Sequence, residues 1–259
     1  MNTKISENQM DDLAIVILAA GKGSRMKSDI PKVLHTIAGK SMVVHVIDAA
    51  WKLTKNNIHV VVGHQAELVK SVVLQSFSVN FVVQKTLLGT GDAVKQAIPC
   101  LGPGIKNVMV LCGDVPLIRE NTLRQLVAAH QKACAKLTVL AVNLENPTGY
   151  GRIVLDPAGE IIAIREESDA TSQEKRIPTI NTGIYCFDRK FLEKAIAFIR
   201  PDNNQAEYYL TDMVGIARSK GEKISVRIMA DSRQVIGVNT LDELARVESL
   251  IAQIENELP

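Results

Sequence analysis

The passage from Leu13 to Lys32, LAIVILAAGKGSRMKSDIPK, most narrows what this chain can fold into, because an apolar run collapses into glycines and cations follow. The branched residues from Ile15 to Leu18 predict a buried strand, and the small residues and glycines from Ala19 to Gly23 make the chain turn and expose its backbone. Lys22, Arg25, Lys27 and, after Pro31, Lys32 come next. Unblocked N–H groups beside fixed positive charge are what a triphosphate requires. The pattern is not a Walker-type loop, which needs GxxxxGK before Ser or Thr. Nor is it the dinucleotide fingerprint, whose third glycine would stand at Met26. On glycine and charge alone, a tight turn carrying solvated lysines fits the same residues.

Downstream, helical and strand periods alternate. Met42, Val43, Val46, Ile47, Ala50 and Leu53 recur at helical spacing, with Ser41 as the expected cap. A strand at Ile58 to Val62, a helix at His64 to Leu74 and a strand at Val79 to Val83 follow. Then come a helix around Ala93 to Ile98, a strand at Asn107 to Leu111, a helix at Glu120 to Lys132 and a strand at Leu137 to Val142. This order predicts an α/β fold, a mainly parallel sheet flanked by helices on both faces. Segments Ile153 to Leu155 and Ile161 to Ile164 around a turn at Asp156 to Gly159 predict a β-hairpin excursion. A strand at Ile180 to Phe187, a helix at Lys190 to Ile199 and a helix at Met213 to Ser219 capped by Thr211 or Asp212 come next. Strands at Ile224 to Ile228 and Gln234 to Val238 precede a final helix, Leu241 to Leu258, with Leu244, Val247, Leu250, Ile251, Ile254 and Leu258 on one face. The expected organisation is a flexible lead-in over 1–12, one domain over 13–239 and a C-terminal helix over 240–259.

Several polar residues fall at the carboxyl ends of these strands, where open α/β sheets bind ligands. Gln84 is followed by Gly89, Thr90 and Gly91, an amide beside backbone groups able to read a pyrimidine edge; a lone Gln without those neighbours is more often an exposed polar residue. Asp114 follows Gly113 at the end of a central strand, where it suits Mg2+ or caps the turn before Pro116. Asn239 suits a metal or caps the last helix.

The order of motifs goes further. The opening LAAGKGSRM with PKVL is followed by QKTLLGTGDA (Gln84 to Ala93), LCGDVPLI (Leu111 to Ile118), NPTGYGRIV (Asn146 to Val154), INTGIY (Ile180 to Tyr185) and AEYYLTD (Ala206 to Asp212). In that order the chain resembles the sugar-1-phosphate nucleotidyltransferases, and in particular the uridyltransferase domain of the bacterial N-acetylglucosamine-1-phosphate uridyltransferases. The resemblance implies a Rossmann-like nucleotide-diphospho-sugar transferase fold and transfer of UMP from UTP to N-acetylglucosamine 1-phosphate. It assigns Leu18, Ala19, Ala20, Gly21, Gly23, Lys32, Gln84, Gly89 and Thr90 to the nucleotide, the last three to uracil. It assigns Cys112, Gly113, Gly151, Glu166 and Asn181 to the sugar, Asp114 and Asn239 to Mg2+, and Arg25 and Lys32 to catalysis. Two positions depart from the pattern: Cys112 stands where the family usually has an aromatic residue, and Ala206 where it commonly has Gly. The alternatives are transfer to another sugar 1-phosphate, or an inactive protein that still binds nucleotide-sugars.

Composition bounds the remaining classes. Thirty basic against twenty-eight acidic residues leave +2, no general field for nucleic acid. Four scattered cysteines and five histidines show no zinc or disulfide spacing. The polar opening and the lack of a long apolar run predict a soluble cytoplasmic protein that neither enters nor spans a membrane. No hexapeptide repeat occurs, so the family's trimerising, acetylating β-helix is expected to be absent, leaving the oligomeric state open.

Overall fold

The computed structural model describes the backbone of residues 11–257 and the side chains of 11–251. Residues 1–10 of the expected lead-in, the side chain of Ile254 and the whole of Leu258 lie outside the described residues. Strand β1 (Leu13–Ala19) runs through the middle of the molecule. Its pleat sends Leu13, Ile15, Ile17 and Ala19 into one hydrophobic cluster and Ala14 and Val16 into the other. Burial on both faces is why the run reads as continuously apolar.

After a ribbon of β2 (Thr36–Ile37) and β3 (Lys40–Ser41) come α1 (Met42–Trp51), β4 (Ile58–Val62), α2 (Ala66–Leu74), β5 (Asn80–Val83), α3 (Thr90–Ala97), β6 (Asn107–Cys112), α4 (Glu120–Ala133) and β7 (Leu137–Asn143). The hairpin β8 (Arg152–Leu155) and β9 (Ile161–Arg165) precedes β10 (Thr179–Asp188), α5 (Arg189–Ala195), α6 (Met213–Ser219), β11 (Ile224–Met229) and α7 (Leu241–Glu257). The main sheet runs β11-β7-β10-β6-β1-β4-β5. Its pairs are parallel except where β10 lies antiparallel to β6 and β7. The hairpin hangs from β10 through Ile180 and Arg152, and its turn is closed by the Asp156 carboxylate, which accepts from Ala158 N–H at 2.9 Å. The chain leaves β1 toward β4 and β5 and returns to β6 on the other side, so the switch point lies between the carboxyl ends of β1 and β6.

Three local expectations are corrected. Gln234 to Val238 is not a strand: Ser232–Val235 is a 3-10 turn capped by Asp231, and Val238 N–H donates to Asp114 O at 2.9 Å instead of to a sheet neighbour. Its apolar residues are split between two clusters, Val235 in the one beneath the sheet and Val238, with Ile236, in the one beside α1. Ser41 stands at the N-cap of α1, but its hydroxyl makes no capping bond. Neither Thr211 nor Asp212 caps α6 through its side chain, because the 3-10 turn Leu210–Asp212 runs straight into that helix.

Candidate functional site

The loop after β1 is built around Gly23 and Lys32. Gly23 has φ 63 and opens the 3-10 turn Ser24–Met26, while Met26, 1% exposed, anchors the turn in the core. A Cβ on Gly23 would collide with the Lys32 side chain, so glycine here serves both the left-handed backbone and the path of the lysine. Lys32 Nζ donates to the Asp114 carboxylate and, at 2.8 Å, to Asn239 Oδ1. Arg25 Nη2 donates to the same Asn239 oxygen at 2.9 Å. Lys22 and Lys27 remain exposed.

Asp114 reaches this point because β6 ends against β1: Gly113 N–H donates to Leu18 O at 2.9 Å, and a Cβ on Gly113 would sit 3.0 Å from that oxygen. Asn239 reaches it from the start of α7, and it is not the cap. Thr240 Oγ1 accepts from Glu243 N–H at 3.2 Å, while Glu243 Oε2 accepts from Asn239 N–H at 2.6 Å and Thr240 N–H at 3.1 Å. This is a capping box, and it leaves the Asn239 side chain for Arg25 and Lys32. A carboxylate oxygen and an amide oxygen therefore converge on one cationic centre, a donor set that fits a hard divalent ion. Among the described residues no group of three or more His, Cys, Asp or Glu side chains offers a fuller cage.

Two cavities meet at Asp114. One, of about 250 Å³, is lined by Leu18, Ala19, Ala20, Gly21 and Lys32, together with Gln84, Gly89 and Thr90. Gln84 is 4% exposed, and its Nε2 donates to Asp92 Oδ2 at 2.7 Å and Gly89 O at 3.1 Å. Thr90 Oγ1 accepts from Leu210 N–H at 3.0 Å and Gly91 N–H donates to Tyr208 O at 2.7 Å. The AEYYLTD segment thus braces the glycine-rich turn. Gly23 and Gly113 line neither cavity and work through Lys32 and Asp114.

The other cavity, of about 310 Å³, is lined by Arg25, Cys112, Asp114, Gly151, Glu166, Asn181 and Asn239. Between Asn181 and Tyr185 the register of β10 against β7 shifts, and Gly183 there has φ 75. Such a bulge re-aims side chains. Asn181 N–H donates to Gly151 O at 2.8 Å and Asn181 Nδ2 to the Tyr185 hydroxyl at 2.7 Å. Burial pushes the Glu166 carboxyl above its usual range, and the Thr211 hydroxyl opposes that rise. Burial and the neighbouring Asp114 push the Cys112 thiol up to about 12, so it stays a thiol, donating to Gly183 O at 3.5 Å.

Sequence reasoning missed Tyr150, Thr182 and Tyr185 in this lining, and Arg152 behind it. Arg152, 1% exposed, pairs with Glu167 at 2.7 Å and donates to Tyr150 O, while Glu167 accepts from Gly149 N–H at 3.1 Å. This pair stiffens the Gly149 to Gly151 loop. Its only sequence signal was an arginine beside the apolar run of β8.

A switch-point cleft in an α/β sheet, with a glycine-bounded cationic loop and an Asp/Asn oxygen pair between two cavities, defines a phosphate-handling nucleotide-binding protein. The chain belongs to the nucleotidyl transferase family, whose model matches residues 14–246. It is 45% identical over 250 residues to a protein of Geobacter metallireducens named "Bifunctional protein GlmU", covering 96% of this chain and 52% of that one. A protein of the same name from Clostridioides difficile is 43% identical over 242 residues, covering 93% and 52%. One from Halalkalibacterium halodurans is 43% identical over 248 residues, covering 96% and 54%. The chain thus spans about half the length of the curated relatives it matches.

Proposed function

We propose that this chain transfers UMP from UTP to N-acetylglucosamine 1-phosphate, releasing pyrophosphate and forming UDP-N-acetylglucosamine. The carrying observation is that the Gln84 cavity and the Glu166 cavity share Leu18, Thr90, Cys112 and Asp114, so two ligands would meet beside Lys32, Arg25 and Asn239. The nucleotide is read with its base at Gln84 and Gly89, and the sugar is taken by Gly151, Glu166 and Asn181.

An oxygen of the sugar phosphate is already anionic, so no serine or histidine need be activated. It attacks the α-phosphorus, and the bond to the bridging oxygen of pyrophosphate breaks with its electron pair. Bringing two anions together is the difficulty, and positioning with fixed positive charge meets it. Lys32 and Arg25 neutralise the transferring and leaving phosphates. Asp114 and Asn239 would hold Mg2+, which when bound adds charge neutralisation at phosphate oxygens. Among the described residues no helix is long and apolar enough to cross a membrane, and the reading assigns the protein to the cytoplasm.

Pyrophosphate release, measured over the four nucleoside triphosphates and several sugar 1-phosphates with and without EDTA, tests the reading. UTP with N-acetylglucosamine 1-phosphate should be fastest and EDTA should abolish it. Preference for another sugar phosphate moves the protein to a sister activity. Tight nucleotide-sugar binding without turnover makes it a binding protein.

A further inference from the structure

Gln84 is tied by its backbone N–H to Val62 O at 2.8 Å, and its side-chain nitrogen faces two acceptors, Asp92 Oδ2 at 2.7 Å and Gly89 O at 3.1 Å. A primary amide has two N–H donors on nitrogen and only lone pairs on oxygen. Turning this amide over would set Oε1, on a side chain 4% exposed, against a carboxylate oxygen and a carbonyl oxygen and leave both half-buried acceptors without this donor. The neighbours therefore fix its orientation, and the bond to Asp92 is the charge-assisted one. Asp92 is itself held in the first turn of α3, where the helix end favours negative charge, and its other oxygen accepts from Gln96 Nε2 at 3.2 Å.

From this arrangement we infer that Asp92 is a positioning residue that sets base specificity: with Gly89 O it consumes both N–H groups of Gln84, so Gln84 offers the base an acceptor alone. Uracil carries a hydrogen on N3 and completes that acceptor. Cytosine carries a lone pair there and is repelled. The choice of uracil rests on the function proposed above, whereas the orientation of the amide rests on the contacts just described.

The experiment measures kcat/KM with N-acetylglucosamine 1-phosphate, and calorimetric Kd, for UTP, CTP, GTP and ATP. The variants are Asp92→Ala, Asp92→Asn, Gln84→Ala and Gln84→Ala with Asp92→Ala. In an enzyme that prefers UTP, Asp92→Ala should reduce the UTP/CTP ratio by about tenfold or more. Asp92→Asn keeps the shape of the side chain yet lets the Gln84 amide sit either way, so it should fall between. In the Gln84→Ala background, Asp92→Ala should change the ratio no further. An unchanged ratio in both Asp92 variants overturns the inference and leaves the uracil reading intact. So does an equal loss for both nucleotides that persists without Gln84, since that marks a structural role only. A wild type that prefers GTP over ATP, with the preference eroded in Asp92→Ala, removes the uracil reading and supports the inference, because guanine N1–H is the same kind of donor. A wild type that is indifferent to base, prefers CTP or ATP, or binds no triphosphate overturns the inference.

Discussion

Lys32 is the residue on which the site converges, and its role depends on contacts that no spacing rule contains. Its ammonium joins Asp114 and Asn239, positions far apart in the chain, with 15% of its side chain exposed. Lys32→Met should lower kcat by about 100-fold or more with a smaller change in KM, as expected for a charge that acts on the transition state. Steady-state pyrophosphate release checks this, and a change in KM alone would reduce Lys32 to a binding group. Ala206 gives a residue-scale prediction about stability. It stands where the resembled family commonly has glycine, and its φ of 51 is a left-handed conformation that Ala adopts at a cost. Ala206→Gly relieves that strain and adds unfolded-state entropy, for a net gain of about 0.5–1 kcal/mol in urea denaturation. The glycines, Gln84 and Asp114 were legible because their chemistry is local to a strand end. Tyr185 and Arg152 were not, since an ordinary strand residue takes a role only once its face is known.

The start of α7 shows how an element positions a side chain. The residues Thr240 and Glu243 make a capping box that satisfies the N–H groups of Thr240 and Glu243 and fixes Asn239 from behind. Thr240→Ala should cost about 1 kcal/mol in chemical denaturation. Glu243→Ala releases the Asn239 backbone as well, and should raise severalfold the Mg2+ concentration giving half-maximal activity. Activity titrated with MgCl2 separates the two effects. The sequence left open whether Asn239 was cap or ligand, because both use the same side chain at the same kind of position. Only the Thr240 and Glu243 contacts removed the first option. The segment at Gln234 to Val238 failed for a related reason: a short apolar run reports burial without its geometry, and here Val235 and Val238 are buried in different clusters from a 3-10 turn and the extended backbone after it.

At the scale of the whole molecule, stability depends on packing that also carries titrating groups. His130 on α4 is 2% exposed, with Nδ1 2.8 Å from Thr138 Oγ1. Burial pushes its pKa down to about 4, with Asp188 opposing and Lys136 assisting. An unfolded histidine titrates near 6.5, so between these values the unfolded chain binds the extra proton. The contribution is complete above about pH 6.5 and is lost as pH falls toward 4, a change on the order of 3 kcal/mol. Urea melts from pH 7 to 4 should show this decline, and His130→Gln should remove its share of the slope. The sheet and its helices could be read from the residues, because hydrophobic period and glycine placement are local properties of the chain. The sequence also pointed to most of the residues that the fold gathers in the cleft, because phosphate and metal chemistry accept few side chains and those stood in a recognisable order. Folding was needed to show that Lys32 is the cation bonded to Asp114, that Asp92 faces the Gln84 amide, and that the two cavities meet. The Gln84 contact depends on how the turn after β5 sets α3, and the other two depend on distances between strands β1, β6 and β10 and helix α7, which are distant in sequence and brought together only by burying both faces of one sheet.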